Sequence, residues 1–595
     1  MFRVWNERSR LPKLLLQAED PSLALPDMDQ TKGDYDMLRE EYKYRRLFTY
    51  DYQRLGFSLS ACKMRVSSLL AGVTLWVTSL APAVAEPIPR ADTFKNPIIY
   101  SDFPDNDVFL GPDNNYYFSA SNFHFSPGAP ILRSKDLLNW DLIGHSIPRL
   151  TFGDGYDLPN GQRSYRGGTW ASSLRYRKSN GQWYWIGCVN FWNTWVFTAD
   201  KPEGPWTNRG NFGNENCYYD NGILIDDDDT MYVVYGSKDV RVSQLSKDGY
   251  SQVKTQPVFS NKDAGVEDME GNRMYKINGL YYILNDSPSN TQTWIWKSKS
   301  PWGPYERKVF VDRATPPISG GNSPHQGSLV KTPSGDWYFM SFTWAYPAGR
   351  LPVLAPVRWG SDGFPTLVKG DNGGWGASYP TLPGTSGVTK NWTRTDTFAG
   401  TSLAPSWEWN HNPDTNSFTV NNGLTLRTAS VTNDIFQARN TLSHRTHGDH
   451  PVGTVKISFA NMKDGDRAGL SAFRDQSAYI GIHRTDGKFT LATKHGMVQD
   501  EWNGETKQLG EVKATAAVPS GKTSVWLRIQ MDTNPAGTGN TVFSYSWDGS
   551  KYETFGPNFK LYNGWAFFIA YRFGIFNYAE TALGGSIKVE SFTAA

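Results

Sequence analysis

An aromatic-rich strand preceded by a tight turn recurs five times along this chain, and that recurrence limits its fold more than any other feature. The strands contain Tyr117 (NNYYFSAS), Tyr184 (GQWYWIGC), Tyr232 (DTMYVVYG), Tyr282 (GLYYILND) and Tyr338 (GDWYFMSF), spaced 48 to 67 residues apart. Each follows a turn-rich tetrad: PDNN, SNGQ, DDDD, INGL, PSGD. In the fourth unit, Met269 to Leu284, Asn278-Gly279 separates two apolar runs. Both turn residues tolerate positive φ, which marks a β-hairpin. Five such units at this period predict an all-β chain with a five-bladed β-propeller.

The phase of the repeat singles out a few side chains. Asp105, Asp220 and Glu270 each stand 12 residues before the tyrosine of their own unit. Trp170 and His325 hold nearly the same place, 14 and 13 residues back. The first strand of each propeller blade lines the central channel, so equivalent positions converge on one funnel. Taken singly, each carboxylate would be read as solvated surface; their shared phase is what sets them apart. Two carboxyl groups are the minimum equipment for glycoside hydrolysis, one to protonate the leaving oxygen and one to act as base or nucleophile. A third can raise the acid's pKa by like-charge repulsion.

Net charge is +2, from 60 Lys and Arg against 58 Asp and Glu, and no basic, aromatic-interleaved tract is present. A nucleic-acid partner is therefore not expected. Aromatics make up 14 % of the chain, which suits sugar stacking as well as blade packing.

Residues 1–63 are charge-dense and lack a strand pattern, and read as a non-native or disordered upstream extension. Residues 64–85 carry Met64-Arg65, an apolar run from Val66 to Ala81 and Ala83-Val84-Ala85. That is the pattern of a secretory signal peptide with cleavage after Ala85, so a secreted, extracellular protein free of the membrane is expected. The alternative is a membrane anchor with a cytoplasmic head. Of the three cysteines, Cys62 would leave with the leader, and Cys188 and Cys217 are either buried thiols or one bridge. Asn285-Asp286-Ser287 and Asn391-Trp392-Thr393 are N-glycosylation sequons.

The propeller is expected over residues 95–380, with Gly370 to Ser386 as a Gly/Pro/Ser-rich linker. Short alternating runs such as GTVKISFANM, AYIGIHRT and SVWLRIQMD then predict a β-sandwich over 387–595. No helix is expected.

Several motifs together resemble glycoside hydrolase family 43, the five-bladed arabinofuranosidases and β-xylosidases. Phe103-Pro104-Asp105-Asn106-Asp107-Val108 is similar to the family's first-blade motif, with Ser126-Pro127-Gly128-Ala129-Pro130-Ile131, Ser134-Lys135-Asp136-Leu137 and Trp140 continuing the match. Asp220-Asn221-Gly222-Ile223-Leu224, Glu270-Gly271 with Tyr275-Lys276, and His325-Gln326-Gly327 resemble later motifs. Asn106 and Asn221 stand where the family usually has proline. Trp407 to Pro413, Ala438 to Leu442 and Tyr571 to Tyr578 look like the concanavalin-like (lectin/glucanase-like) sandwich of one branch.

The resemblance implies an inverting enzyme with Asp105 as general base, Glu270 as general acid and Asp220 as pKa modulator and positioning residue. The two reacting carboxyls of an inverting enzyme stand roughly 6.5–9.5 Å apart. Phe123, Trp170, His325 and Arg350 are the substrate-binding candidates. No cofactor is required, although His325 marks where some members hold a structural calcium in the channel. The expected substrate is a hemicellulose, attacked by a monomer that removes terminal α-L-arabinofuranosyl units from arabinoxylan. Alternatives are a β-1,4-xylosidase and a catalytically silent sugar-binding propeller. The sandwich reads as a buttress closing one side of the pocket.

Overall fold

In the first unit the strands Asp107–Leu110, Tyr116–Ser119, Gly128–Ser134 and Trp140–Ile147 form one four-stranded antiparallel sheet, blade 1. Four more sheets of four follow in this computed structural model, which describes residues 92–159, 161–212, 217–387 and 390–595. Their first strands are Thr169–Arg177 (blade 2), Gly222–Ile225 (blade 3), Glu270–Ile277 (blade 4) and Gly327–Lys331 (blade 5). These first strands touch one another in a ring, so they line the axis. The predicted extension 1–63 and signal peptide 64–85 lie outside the described residues.

Burial explains why the inner strands lack an alternating pattern. Tyr116–Ser119 and Met231–Tyr235 are buried at every position, because a neighbouring blade covers each face. The outermost strand Glu306–Asp312 is mostly exposed. Much of the aromatic content serves these contacts: Phe259 stacks on Trp296 at 3.7 Å and Tyr218 on Tyr235 at 3.9 Å. The Asn278-Gly279 turn has φ of 51° and 78°, the left-handed pair its sequence predicts. Among the described residues the only α-helical segment is the single turn Asn261–Ala264.

The ring is fastened at its ends. Thr93–Lys95 pairs antiparallel with Ser378–Pro380, and Trp375 is fully buried. Part of the stretch that reads as a linker is thus the clasp of the propeller. Cys188 and Cys217 form a disulfide. Of the two sequons, Asn391 is exposed, but Asn285 is 1 % exposed and its side chain accepts from Trp296 Nε1 at 3.0 Å. The folded protein gives a glycosyltransferase no access to Asn285.

The C-terminal region is a sandwich of a nine-stranded and an eight-stranded antiparallel sheet. In the nine-stranded sheet one face is buried, as in Val452–Ser458, which alternates strictly, whereas Arg572–Ala579 of the eight-stranded sheet is buried at every position. The eighth strand of the smaller sheet comes from the propeller: Phe125–Ser126 pairs with Trp407–Asn410. Beside that junction Glu408, 1 % exposed, is ringed by His145 at 2.8 Å, Arg445 at 3.3 Å and Arg572. The two arginines also donate to Asn122 Oδ1, at 2.6 and 2.9 Å. The two domains therefore share a sheet and a buried charge cluster.

Candidate active site

Asp105 and Asp220 precede their first strands by two residues, and both have left-handed backbone, with φ of 57° and 46°. Aspartate tolerates that conformation better than most residues. In blade 4 the left-handed residue is instead Gly271, φ 67°, immediately after Glu270. A Cβ on Gly271 would lie 2.4 Å from Asp286 Oδ1 and 2.5 Å from Gln326 Cγ, so the Glu-Gly pair is required by space as well as by φ.

Behind these turns Arg273, fully buried, bolts the blades together. Its Nη2 donates to the carbonyls of Asp105 and Asn106 at 3.1 and 3.2 Å, and its Nη1 to the carbonyl of Asn221 at 2.9 Å. Its Nε faces Asp107 at 3.3 Å, and Asp107 also takes Arg175 at 2.6 Å. Burial alone would raise the Asp107 pKa, but Arg175 and Arg273 overcome it and hold the carboxyl below its ordinary value. Arg273, paired with Asp107, thus fixes the backbone beside Asp105 and Asp220. Sequence reading missed both, although Asp107 lies within the first-blade motif.

The Asp105 carboxylate accepts Arg350 Nη1 on Oδ1 at 2.6 Å and the Ser121 hydroxyl on Oδ2 at 2.5 Å. Asp220 Oδ2 accepts the Gly271 amide at 2.9 Å and Gln326 Nε2 at 3.4 Å. Burial, and next the negative charge of Asp105, push the Asp220 pKa up to about 7 against the pull of the Gly271 amide, Arg273 and Arg350. Glu270 Oε2 accepts the Tyr219 hydroxyl at 3.0 Å. Burial alone would lower the Arg350 pKa, but Asp105 first, then Tyr346, Asp102 and Glu270, raise it. All three predicted carboxylates therefore lie in one electrostatic neighbourhood at one end of the channel. A fourth carboxylate, Asp286, pairs with Glu270 across the blade 4 hairpin and is fully buried.

The predicted binding residues gather here too, in unequal roles. Trp170 is part-exposed and meets Phe123 edge-on at 5.0 Å, while Phe123 itself is 1 % exposed and lies behind it. Arg350 is buried, with Phe123, Phe342, Trp344 and Phe568 around its guanidinium at 5.3 to 5.7 Å. Phe568 comes from the sandwich. It stands 5.2 Å from Trp170 and 6.2 Å from Trp344, and its carbonyl accepts Arg350 Nη2 at 3.4 Å. The sandwich thereby closes one wall of the site, as the buttress reading expects.

His325 Nδ1 donates to the Ser323 carbonyl at 2.9 Å, and its Nε2 faces Asp286 at 3.6 Å. Calcium takes six to eight oxygen ligands. Nδ1 is committed to the Ser323 carbonyl, and no group of three or more His, Cys, Asp or Glu able to hold a metal occurs among the described residues. The side chains around His325 do not make a protein-ligated calcium site.

Two families match this architecture: Glycosyl hydrolases family 43 over residues 94–365, and the Beta xylosidase C-terminal Concanavalin A-like domain over 395–594. A β-xylosidase of Formosa agariphila is 28 % identical over 568 residues, covering 84 % of this chain and 90 % of its own. A non-reducing end α-L-arabinofuranosidase of Bacteroides ovatus is 28 % identical over 451 residues, 70 % of this chain and 79 % of its own. Among solved structures, a GH43 glycoside hydrolase engineered to display both endo-xylanase and exo-arabinofuranosidase activity superposes with a TM-score of 0.80. It is 41 % identical, covering 84 % of this chain and 99 % of that one. With its axial carboxylates, its five blades and its matching sandwich, the chain belongs to glycoside hydrolase family 43.

Proposed function

We propose that the protein is a secreted exo-glycosidase that removes terminal α-L-arabinofuranosyl units from arabinoxylan-type hemicellulose. The observation that carries the chemistry is the convergence of Asp105, Asp220 and Glu270 in contrasting environments. Asp105 takes the proton of a water as that water's oxygen bonds to the anomeric carbon. Glu270 gives its proton to the glycosidic oxygen as the bond from that oxygen to the anomeric carbon breaks. The displacement is single and inverts the anomeric configuration. Asp220, joined to the acid's backbone through the Gly271 amide, positions Glu270 and adds negative charge to the cluster once deprotonated.

The assignment of arabinose leans on the similarity to the engineered exo-arabinofuranosidase structure at 41 % identity and to the Bacteroides arabinofuranosidase. The second reading, β-xylosidase, is favoured by the Formosa relative and a putative β-xylosidase of Xylanibacter ruminicola. Paired 4-nitrophenyl glycosides separate them. Faster release from the α-L-arabinofuranoside is expected, and preference for the β-D-xylopyranoside would replace the first reading by the second.

Secretion is supported by the Cys188–Cys217 bridge, which suits an oxidising compartment. N-terminal sequencing of protein recovered from the medium is expected to begin at Glu86. The acid–base pair needs no cofactor, so turnover is expected to survive exhaustive chelation. The enzyme is expected to sediment as a monomer.

A further inference from the structure

Among the described residues Trp192 is the one exposed aromatic side chain, at 49 %. It sits at the tip of the hairpin joining Gln182–Val189 to Asn193–Ala199 in blade 2. An exposed indole on a well-packed propeller calls for a reason, and the structure of the tip supplies one.

The tip is built, not loose. Asn190 and Phe191 both adopt left-handed backbone, φ 58° and 59°, and for a residue as bulky as phenylalanine this is strained. The strain is held by the Asn190 side chain, whose Oδ1 accepts the Gly168 amide at 2.9 Å and the Tyr156 hydroxyl. The Trp192 amide closes the turn on the Val189 carbonyl at 3.2 Å. The result aims Phe191 into the site, 4.6 Å from Trp170 and stacked at 6.0 Å on Tyr219. Tyr219 in turn donates to Glu270.

Contacts therefore run from Glu270 through Tyr219 to Phe191, and Trp192 is the next residue along the same hairpin tip. The group that protonates the glycosidic oxygen must stand beside that oxygen, so the departing sugar chain leaves on the acid's side of the pocket. We propose that the Phe191–Trp192 tip is the platform for the leaving group, with Trp192 stacking on a sugar ring beyond the one bonded to the scissile oxygen. This rests on Glu270 as the acid and is indifferent to which terminal sugar is released. The ligand is the polysaccharide backbone itself, a run of uncharged pyranose rings with apolar faces suited to an indole.

The test compares wild type, Trp192→Ala and Trp192→Phe on a one-ring aryl glycoside and on oligosaccharides of increasing backbone length. In wild type kcat/KM is expected to rise with backbone length. In Trp192→Ala that rise is expected to shrink about tenfold, the size of an interface tryptophan's contribution. The loss should lie in KM, with the one-ring substrate within about twofold of wild type, and Trp192→Phe should restore most of the rise. Equal losses on every substrate, or no loss on the long ones, would overturn the platform. Glu270→Gln is measured alongside. Wild-type turnover of unactivated substrates by that variant would overturn the acid assignment itself, whatever Trp192 does.

Discussion

Arg350 pairs with Asp105 at 2.6 Å inside the protein, with both side chains 6 % exposed. The same arginine is held from behind: its amide donates to Asp102 Oδ1 at 2.8 Å, and Asp102 Oδ2 takes the amide of Ala570 from the sandwich at 3.0 Å. The proposed base is therefore oriented by a cation whose own backbone is tied to the second domain. Removing one member of a buried ion pair leaves the other uncompensated, at a cost of about 3–5 kcal/mol. Arg350→Met is expected to lower the melting temperature clearly. Its kcat/KM is expected to fall at least about 100-fold through misorientation of the carboxylate. A variant with wild-type stability and activity would show that the pair neither holds the fold nor orients the base.

Asp105→Asn separates chemistry from binding. The amide keeps an acceptor for Arg350 but cannot take a proton from water, so kcat is expected to drop by roughly 10²–10⁴ while sugar binding, read calorimetrically, persists. The loss should be the same on dinitrophenyl and natural glycosides, because a base is needed whatever departs. Substantial residual turnover on any good substrate would remove Asp105 from the role.

Proton NMR of fresh product is expected to show an anomeric configuration opposite to that of the substrate bond, as a single displacement requires. Retention would make one carboxylate a nucleophile and dismantle the division of labour proposed for Asp105 and Glu270.

Asp220 links pH to stability. Burial and the charge of Asp105 push the Asp220 pKa up to about 7, above the ordinary aspartate value of 3.8, so the folded chain binds this proton more tightly. The resulting stability is fully present below about pH 4 and is lost as pH rises through about 7. Asp220→Asn removes that dependence. Its melting temperature relative to wild type is expected to rise between pH 4 and pH 8; parallel curves would mean the carboxyl does not titrate so high. Because Asp220 also holds the Gly271 amide next to Glu270, the variant should lose more activity on natural glycosides than on dinitrophenyl ones.

Much of this was legible in the sequence, for a physical reason. A propeller places equivalent strand positions at equivalent radius, so the shared spacing of Asp105, Asp220 and Glu270 from their tyrosines already encodes convergence. The shared left-handed backbone of Asp105 and Asp220 is the structural form of that phase. Arg273 and Asp107 were not legible, because buried charges within a strand look no different from surface ones until their partners are known. Phe568 was out of reach for another reason. It acts on Arg350 from 218 residues away along the chain, through a short turn of the sandwich with no periodicity. The Asn285 sequon misled because its three-letter pattern carries no information about burial.

The joint between the domains yields the last prediction. Glu408 is one carboxylate among His145, Arg445 and Arg572. Burial would raise its pKa, but Arg445 and Arg572, and then His145, hold it well below the usual carboxylate range. The two arginines also hold Asn122, next to Phe123 under the aromatic wall. Glu408→Ala leaves two guanidiniums buried and unbalanced, a loss of about 3–5 kcal/mol. Glu408→Gln keeps the shape but not the charge and should suffer nearly as much, whereas Glu408→Ala combined with Arg572→Met should recover part of the loss. Because the pKa is depressed, the stability is fully present above the unfolded carboxyl value of about 4 and is lost only as pH falls through the much lower folded value, so wild type and Glu408→Ala should converge in melting temperature only in strong acid. Activity should fall with stability if the cluster also sets the wall through Asn122. Calorimetric melting of the three variants across pH, with kcat/KM measured well below each transition, checks both parts. A Glu408→Ala protein that melts like wild type at neutral pH would mean that the shared sheet at Phe125–Ser126, not the charge cluster, joins the domains.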